Sequence, residues 1–283
     1  MTEIRDDITQ KAIELGWLKT IYPGVWMVYD PLASYMDFLQ EFFYERIGRP
    51  LGFMKLIPPT IIPKRIYHRY GQEFYPVELA IEIKEFANQG NSEQLVLDPA
   101  FTSFYGSLEN RALAEDILPF QVTEASIGIS YRNEKDVSEF SRSREFIKKE
   151  FLFIGYPDQV RNLHIKTMTS FESCLNLLGL EHRIRENRTQ IKGRQNDYQT
   201  TDFEIDINNI QLEVASAANK QNWVTSHYNI RSVSGRELWS GYLSIGLSRI
   251  MYCILSVHGF DECKWPMPQH LITYERKTSY DLQ

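Results

Sequence analysis

A succession of short segments rich in β-forming residues begins near residue 95 and constrains the fold more than any other feature of the chain. These segments are LVLDPA (95–100), ASIGISYRNE (125–134), FLFIGY (151–156), DFEIDI (202–207) and IQLEVASAA (210–218). Several of them alternate polar and apolar residues, which is typical of strands with one face in the core. Helical patterns interrupt them at 158–180 and 246–260. Strands in succession with few intervening helices favour an antiparallel α+β sheet over a doubly wound parallel one.

The first fifty residues carry a different pattern, with apolar residues at helical spacing in DDITQKAIELGWL and in PLASYMDFLQEFFYERIG. We therefore predict a helical N-terminal segment, residues 1–48, packed on a larger domain of residues 49–283. The stretch LGFMKLIPPTIIP then predicts an extended segment, because a pair of prolines disrupts a helix interior. Two short helices are expected at about 63–71 and 77–88.

Composition and the missing motifs argue against several function classes. The net charge is −6, whereas broad contact with nucleic-acid phosphates needs clustered Lys and Arg. No G-x-G-x-x-G follows a strand, and there is no P-loop. The three cysteines form no C-x-x-C pair, which favours a reducing, cytoplasmic location over a disulfide framework. The acidic N-terminus predicts no secretory signal, and no apolar run reaches the roughly 18 residues that a membrane span needs, so no membrane partner is expected.

The stretch YRNEKDVSEFSRSREFIKKE (131–150) concentrates charged residues around two phenylalanines. Strand alternation predicts that Arg132 and Glu134 project from one side of a first strand. On the returning strand, four side chains share one face by the same period: Arg144, Phe146, Lys148 and Glu150. An arginine can neutralise a phosphate, a glutamate can accept from an adenine amino group, and a phenylalanine can stack on a base. The residues alone equally fit an exposed, salt-bridged hairpin, which is the usual meaning of a mixed charge run.

Four segments in order along residues 50–255 resemble the motifs of class II aminoacyl-tRNA synthetases. FMKLIPPTII resembles motif 1, and YRNE with SRSREFIKKE resembles the two strands of motif 2 in the seryl, prolyl and glycyl members. IQLEVASAANKQNW resembles the seryl-type E-x-x-S-x-x-N segment, and GYLSIGLSRIMY resembles motif 3. Ordered matches are more specific than any single one. The resemblance implies an antiparallel sheet flanked by helices, and it makes residues 49–283 a catalytic domain.

The resemblance also implies roles for individual residues. The residues implied to bind ATP are Arg132, Glu134, Arg144, Phe146, Glu213, Ser216 and Arg249; of these, Arg132 and Arg249 are the catalytic pair that holds phosphates. Phe146 would stack on the adenine. Glu213 and Ser216 match the metal-binding pair, so Mg²⁺ is expected between the phosphates. The residues implied to surround the amino acid are Glu150, Ser130, Tyr242 and Asn219, with Glu150 facing the substrate's amino group.

Within this superfamily the chain most resembles the amino acid:carrier protein ligases, which are truncated relatives of seryl-tRNA synthetase. VLDPAFTSFYG and SVHGFDECKWP resemble segments of those enzymes. They bind zinc through Cys, Glu and Cys, and the cysteine positions fall here at Ser130 and Tyr242. Hydroxyls are poor zinc ligands beside thiolates, so zinc is not expected. A second departure is Ser248, where the family usually has Glu before the motif 3 arginine.

These observations predict an ATP-dependent ligase that activates an amino acid as its aminoacyl adenylate. Transfer to the phosphopantetheine thiol of an acyl or peptidyl carrier protein is the first expectation, with a homodimer as the assembly and with tRNA not expected as a partner. The alternatives are transfer to tRNA or to a small amine, or a catalytically silent paralogue that serves as a regulatory or binding subunit. The basic segment 182–194 could receive an acidic carrier protein or could be a solvated loop.

Overall fold

The computed structural model describes residues 7–71, 79–83, 93–135, 137, 139–189, 198–208 and 210–267. The first elements are α1 (Asp7–Glu14), β1 (Leu18–Tyr22), β2 (Val25–Val28), α2 (Leu32–Phe43), a π-helical turn (Tyr44–Gly48), α3 (Arg49–Leu51), β3 (Met54–Leu56), β4 (Ile61–Pro63), α4 (Lys64–Gly71), β5 (Glu82–Ile83), β6 (Leu95–Leu97), α5 (Thr102–Ser107), β7 (Ala112–Leu113) and β8 (Phe120–Glu124). The later elements are β9 (Gly128–Tyr131), β10 (Glu145–Gly155), α6 (Pro157–Leu177), β11 (Arg183–Thr189), β12 (Tyr198–Ile207), β13 (Ile210–Gln221), α7 (Trp223–His227), β14 (Arg231–Ser232), β15 (Trp239–Gly246) and α8 (Leu247–His258).

The centre of the molecule is an eight-stranded sheet in the order β11-β12-β13-β15-β10-β8-β3, with β9 paired to one end of β10. Every pairing in this sheet is antiparallel except that of β3 with β8. The fold is therefore a mainly antiparallel α+β sheet flanked by helices, as the sequence predicts. The long strand β10 pairs with β15 and β8 along one part and with β9 along the other, so it joins the core to the hairpin that begins the site.

The two faces of the sheet bury different apolar clusters, because successive side chains of a strand point to opposite sides. Phe151 and Phe153 pack into a cluster with α6 and α8. Leu152 and Ile154 pack into a second cluster with side chains from α4, α5 and α7. All four are nearly inaccessible to solvent. The helices α6 and α8 therefore cover one face, and the opposite face keeps room for a pocket beside the second cluster.

The N-terminal segment forms the expected helices α1 and α2, but a β-hairpin lies between them. Strands β1 and β2 meet at Tyr22-Pro23-Gly24-Val25, where Tyr22 pairs with Val25 and Gly24 has a φ of 77°. Proline followed by a residue with positive φ is the pattern of a type II turn, and glycine meets that requirement without strain. The expectation of a mainly helical segment overlooked this turn. Ile8 and Leu32 share the α6 and α8 cluster, whereas the division at residue 48 stays a prediction.

Two further expectations concern residues 63–88. The helix predicted at 63–71 is α4. The helix predicted at 77–88 is wrong where the chain is described, because residues 82–83 form strand β5 against β6; residues 77–78 and 84–88 lie outside the described residues. Across the described ranges, no helix combines the length and the apolar character that crossing a membrane requires.

Candidate active site

The hairpin of β9 and β10 places the charged stretch on one wall of a pocket. Ser130 pairs with Phe146, and Gly128 pairs with Lys148. Because side chains alternate along a strand, Phe146, Lys148 and Glu150 project from the same face. The pocket that this face borders contains eight of the side chains that the sequence singles out: Arg132, Glu134, Phe146, Glu150, Glu213, Ser216, Tyr242 and Arg249.

Arg132 and Phe146 form a stacked pair at one end of the pocket. The Arg132 guanidinium carbon lies 4.8 Å from the centre of the Phe146 ring, and its Nε donates to the Pro99 carbonyl at 3.3 Å. A guanidinium stacked on an aromatic ring is stabilised by the electron-rich face of the ring. The contact holds the cation in a fixed orientation at the pocket wall, where it can meet an anionic ligand.

Arg249 and Glu213 face each other across the same end of the pocket. Arg249 lies in the first turn of α8, and its Nη1 donates to the Glu213 carbonyl at 2.7 Å while its Nε donates to the Ser141 carbonyl at 3.2 Å. The same Nη1 is 3.9 Å from the Glu213 carboxylate. The two side chains keep 32% and 48% of their surface exposed, so backbone carbonyls anchor the arginine and leave both charges open to the pocket.

Burial raises the pKa of the Glu213 carboxyl above its ordinary value, although the positive charges of Arg249 and Arg132 oppose the shift. A side chain in a concave site can be reached by water and still be surrounded by protein, which explains how a half-exposed carboxylate feels this penalty. The negative charge of Asp202 adds to it. A cation placed beside Glu213 would lower its pKa and be bound more tightly in return.

Ser248, the residue that departs from the family pattern, ties the hairpin to α8. Its Oγ accepts a hydrogen bond from the Ile147 N–H at 3.2 Å, and the residue is 4% exposed. The serine therefore links the stacking strand β10 to the helix that carries Arg249. A glutamate at this position would place a longer charged side chain in a closely packed contact.

Ser216 and Tyr242 extend the pocket along the sheet. The Ser216 hydroxyl donates to Asp202 Oδ1 at 2.8 Å and lies 3.4 Å from the Tyr242 hydroxyl. Asp202 also accepts from the Asn187 amide. Sequence reasoning missed Asp202, because its proximity to Ser216 depends on the pairing of β12 with β13. The alternation of DFEIDI indicated only that this aspartate lies on a strand face.

The other end of the pocket holds a buried set of charges around Glu150. Glu150 Oε2 accepts from Lys148 Nζ at 2.6 Å and from the Phe101 N–H at 3.0 Å, and Oε1 accepts from the Ser244 hydroxyl at 2.8 Å. Glu150 and Lys148 are 6% and 3% exposed. Burial acts to raise the pKa of the Glu150 carboxyl, but Lys148 and these hydrogen bonds outweigh it and hold the pKa below its ordinary value. These contacts therefore favour the ionised form of Glu150.

Glu124, at the end of β8, lies behind this ion pair. Its Oε2 accepts from the Glu150 N–H at 2.7 Å, and its Oε1 is 3.9 Å from Lys148 Nζ. Oε1 is buried and accepts no hydrogen bond within the described part of the chain. Burial raises the pKa of the Glu124 carboxyl to about 7; Lys148 opposes the shift and Glu150 adds to it. Sequence reasoning missed Glu124, and it gave Lys148 a place on the face but no role.

Lys220 supplies a further buried cation close to Tyr242. Its Nζ lies 4.7 Å from the centre of the Tyr242 ring, and the residue is 3% exposed. Burial lowers the pKa of the Lys220 ammonium to about 7, and the charge of Glu150 opposes the shift. Tyr242 thus lines the pocket with the Lys220 amino group against its ring and Ser216 near its hydroxyl.

Three predicted site residues do not line the pocket. The Arg144 guanidinium donates to the Pro23 carbonyl at 3.1 Å and to Asn133 Oδ1 at 2.7 Å, which ties the β1–β2 turn to the motif 2 hairpin. Asn219 Oδ1 accepts from the Gln221 N–H at 3.0 Å. Ser130 is 1% exposed, and its Oγ is a buried hydroxyl with no hydrogen-bond partner among the described residues. The ATP role of Arg144 and the amino-acid roles of the other two stay predictions.

An antiparallel sheet that carries two arginines and a phenylalanine in one pocket defines a class II synthetase-like catalytic core. Residues 64–258 match the family of the tRNA synthetase class II core domain (G, H, P, S and T), and the chain belongs to this family.

Among curated proteins, the chain is similar to the type-2 serine–tRNA ligases of Methanopyrus kandleri and Methanothermobacter thermautotrophicus. It is 24% identical to the first over 93% of this chain and 59% of that protein. It is 26% identical to the second over 92% of this chain and 58% of that protein. The chain thus spans less than two thirds of the length of these relatives.

Solved structures show the same fold. The M. kandleri SerRS, solved in complex with A. aeolicus tRNASec, superposes with a TM-score of 0.79 at 22% identity, over 97% of this chain and 61% of that chain. The seryl-tRNA synthetase of Pyrococcus horikoshii, solved with ATP, superposes with a TM-score of 0.78 at 20% identity, over 94% of this chain and 62% of that chain.

These findings correct the expected partners. The expectation that tRNA is not a partner is wrong, because the relatives are themselves tRNA ligases and one of the similar structures contains a tRNA. Transfer to a carrier protein is not supported, and the relatives favour the tRNA alternative instead. The basic segment 182–194, considered as a carrier-protein site, pairs with acidic residues where it is described: Arg183 with Asp206 and Arg185 with Glu204. Residues 190–194 lie outside the described residues.

Proposed function

We propose that the chain activates an amino acid with ATP as its aminoacyl adenylate and transfers the aminoacyl group to the terminal ribose of a tRNA. The observation that carries this proposal is the stacked pair of Arg132 and Phe146, which shares one pocket with Arg249 and Glu213. L-serine is the first amino acid to test, because the similar curated proteins are serine–tRNA ligases.

In the proposed first step, a carboxylate oxygen of the amino acid attacks the α-phosphorus of ATP, and pyrophosphate leaves with the electron pair of the broken P–O bond. Both reactants are anionic, so the transition state needs positive charge in fixed positions. Arg132 is held by Phe146 and Pro99, and Arg249 by two backbone carbonyls. Such anchoring fits arginines that must not reorganise during the reaction.

The residues at this end of the pocket fit a magnesium ion. Mg²⁺ usually keeps several waters and takes one or two carboxylates together with substrate phosphates. Glu213 offers a half-exposed carboxylate. The Ser216 hydroxyl donates its hydrogen bond to Asp202, so the lone pairs of the serine oxygen can accept a ligand from the pocket. No group of three His, Cys, Asp or Glu side chains suited to a metal occurs in the described ranges, so phosphates and water would complete the shell. When bound, the ion would neutralise charge on the phosphates.

In the proposed second step, a ribose hydroxyl of the tRNA attacks the carbonyl carbon of the mixed anhydride, and AMP leaves. Positioning contributes most to such a step, since the anhydride is already activated.

The catalytic domain acts as a homodimer in this proposal. Two exposed apolar side chains support that assembly: Met54 (52%) on the edge strand β3, and Ile57 (82%) directly after it.

Amino-acid-dependent exchange of labelled pyrophosphate into ATP tests the first step. We expect exchange with one of the twenty amino acids, L-serine being offered first, and we expect Arg249→Ala to lower its rate at least about 100-fold, as the loss of a charge aimed at the phosphates should. Arg161→Ala is the matched control, because Arg161 is an exposed arginine on α6 that pairs with Asp158.

Exchange with no amino acid would contradict the proposed activity and favour a silent paralogue. If exchange occurs, labelled amino acid is offered to total tRNA and, separately, to a carrier protein bearing phosphopantetheine. Label that reaches tRNA supports the proposal, whereas label that reaches only the carrier protein contradicts the second step. Metal analysis of the same sample tests the prediction that zinc is not bound, which stays untested by the geometry.

A further inference from the structure

The amino-acid end of the pocket poses an electrostatic problem for the proposed function. An α-amino acid enters as an ammonium ion, and Glu150 is the carboxylate at the pocket floor that can receive it. Lys148 Nζ already bonds Glu150 at 2.6 Å, and both side chains are almost fully buried. Two cations cannot share one buried carboxylate without a large penalty, because like charges repel strongly where water is excluded.

The structure holds a second acceptor for Lys148. Glu124 Oε1 lies 3.9 Å from Lys148 Nζ, it is buried, and it accepts no hydrogen bond in the part of the chain that the structure describes. A buried carboxylate oxygen without a donor costs free energy, so a partner that arrives there is stabilised. The ammonium therefore has two glutamates within reach and is bonded to only one of them.

We propose that Lys148 is a movable counter-ion, which neutralises Glu150 in the empty pocket and passes to Glu124 Oε1 when the ammonium group of a substrate amino acid binds Glu150. The proposal rests on the proposed function for the identity of the substrate. It makes Lys148 and Glu124 positioning residues that act through Glu150.

The surroundings of Glu124 fit this role. Its other oxygen, Oε2, is fixed by the Glu150 N–H at 2.7 Å, so the carboxylate cannot turn away when Lys148 approaches. Its Oε1 lies against Gly128, where an added Cβ would come within 2.5 Å of that oxygen. Glycine at position 128 thus provides the space that the free oxygen occupies.

The exchange would give the pocket selectivity for amino acids over acids that lack an amino group. A hydroxy acid brings no positive charge, so it cannot displace Lys148 from Glu150. An amino acid brings one charge to Glu150 and sends one to Glu124, so each of these two carboxylates ends with one cation. Pairing every buried charge is the condition under which such charges are tolerated.

Calorimetric titration with L-serine, or with the amino acid that supports exchange, tests the proposal in four proteins: wild type, Glu124→Gln, Lys148→Met and the double variant. Glutamine keeps the acceptor for the Glu150 N–H but carries no charge for Lys148. In the protein that keeps Lys148, we expect Glu124→Gln to raise the Kd for the amino acid at least tenfold. In the Lys148→Met background the same change should alter the Kd less than twofold, because no lysine has to be received.

An equal loss of affinity in both backgrounds, or no loss in either, would overturn the proposal. Melting curves of all four proteins establish that they fold. Should Glu124→Gln not fold, a crystal structure of the wild type with the amino acid bound decides: Lys148 Nζ at hydrogen-bond distance from Glu124 Oε1 supports the exchange, and Lys148 still on Glu150 overturns it.

Pyrophosphate exchange on the same samples separates this proposal from the proposed function. Binding with the expected pattern but without exchange would support the counter-ion and reject adenylate formation. Exchange would support adenylate formation. If, in addition, Glu124→Gln changed the Kd by the same factor with and without Lys148, the counter-ion would be rejected. If none of the twenty amino acids binds, the counter-ion is overturned as well, since no ammonium enters the pocket.

Discussion

The two ends of the pocket hold their charges in different ways. At the open end, which we propose for the nucleotide, Arg249 and Glu213 are a third to a half exposed, and backbone carbonyls fix the arginine. At the closed end, which we propose for the amino acid, Lys148, Glu150 and Glu124 are almost fully buried and bond one another. The open end keeps its charge for a ligand that brings several negative charges. At the closed end one lysine lies between two carboxylates, so a cationic ligand that binds there must rearrange charge.

The largest effect should come from removing a cation at the open end. Arg132→Ala leaves the α-phosphate region without its stacked guanidinium, and we expect the exchange rate to fall by at least about 1,000-fold, which is typical of losing charge stabilisation in a transition state. Steady-state exchange kinetics measure this. Activity within tenfold of the wild type would show that Arg132 does not face the phosphates.

A change at the closed end should act on the amino acid alone. Glu150→Gln removes the acceptor of the ammonium, and we expect the KM for the amino acid to rise about 10-fold to 100-fold, which corresponds to losing a charged hydrogen bond of roughly 1.5–3 kcal/mol. The KM for ATP should change less than threefold. An equal rise in both KM values would mean that the two ends are not separate.

The buried charges should also make stability depend on pH. The pKa of Glu124 is raised from 4.5 to about 7 by burial, with Lys148 and Glu150 of β10 as the charged groups beside its carboxylate. The unfolded chain releases this proton above about pH 4.5 and the folded chain only near pH 7. Glu124 therefore contributes fully to the free energy of unfolding below about pH 4.5. This contribution, on the order of 1–3 kcal/mol, is lost as the pH rises through 7.

Urea unfolding of the wild type and of Glu124→Gln, at pH 4.5 and at pH 8, measures that dependence. The wild type should lose stability relative to the variant as pH rises. A difference between the two proteins that is the same at both pH values would show that Glu124 titrates alike in the folded and unfolded chain.

The smallest effect should come from Arg144, to which the resemblance assigns a role in ATP binding. In the structure this residue lies just before β10, and its side chain bonds to the β1–β2 turn. Arg144→Ala removes the hydrogen bonds that the guanidinium donates to the Pro23 carbonyl in the turn and to Asn133 Oδ1 in the hairpin. We therefore expect the free energy of unfolding to fall by about 1 kcal/mol, with less than a threefold change in the KM for ATP. Urea unfolding and exchange kinetics measure both. A tenfold rise in the KM for ATP would show that Arg144 contributes to nucleotide binding, as the resemblance implies.

The two ends also differ in how far the sequence could predict them. Strand alternation and the order of the motifs were sufficient to bring Arg132, Phe146 and Arg249 together, because each belongs to a recognisable segment. The resemblance gives no role to the partners of Glu150. Glu124 reaches it from 26 residues away and Ser244 from 94, through strand pairings that only the sheet order determines.

The N-terminal hairpin was missed for a related reason. The helical prediction rested on the apolar spacing of residues 6–18 and 31–48 and was extended across the residues between them, where the turn at Pro23-Gly24 decides the structure locally. The partner expectation failed differently. The net charge of −6 argued against tRNA, but net charge describes the average surface of a protein and leaves its ligand undetermined.

The most direct test of the central claim is the detection of the adenylate itself. The protein is mixed with ATP, Mg²⁺ and each amino acid in turn, and hydroxylamine is added to trap any activated carboxyl group as its hydroxamate, with AMP measured in parallel. We predict that one amino acid gives hydroxamate and AMP in equal amounts and that Arg132→Ala gives neither. The absence of hydroxamate with all twenty amino acids would contradict the account.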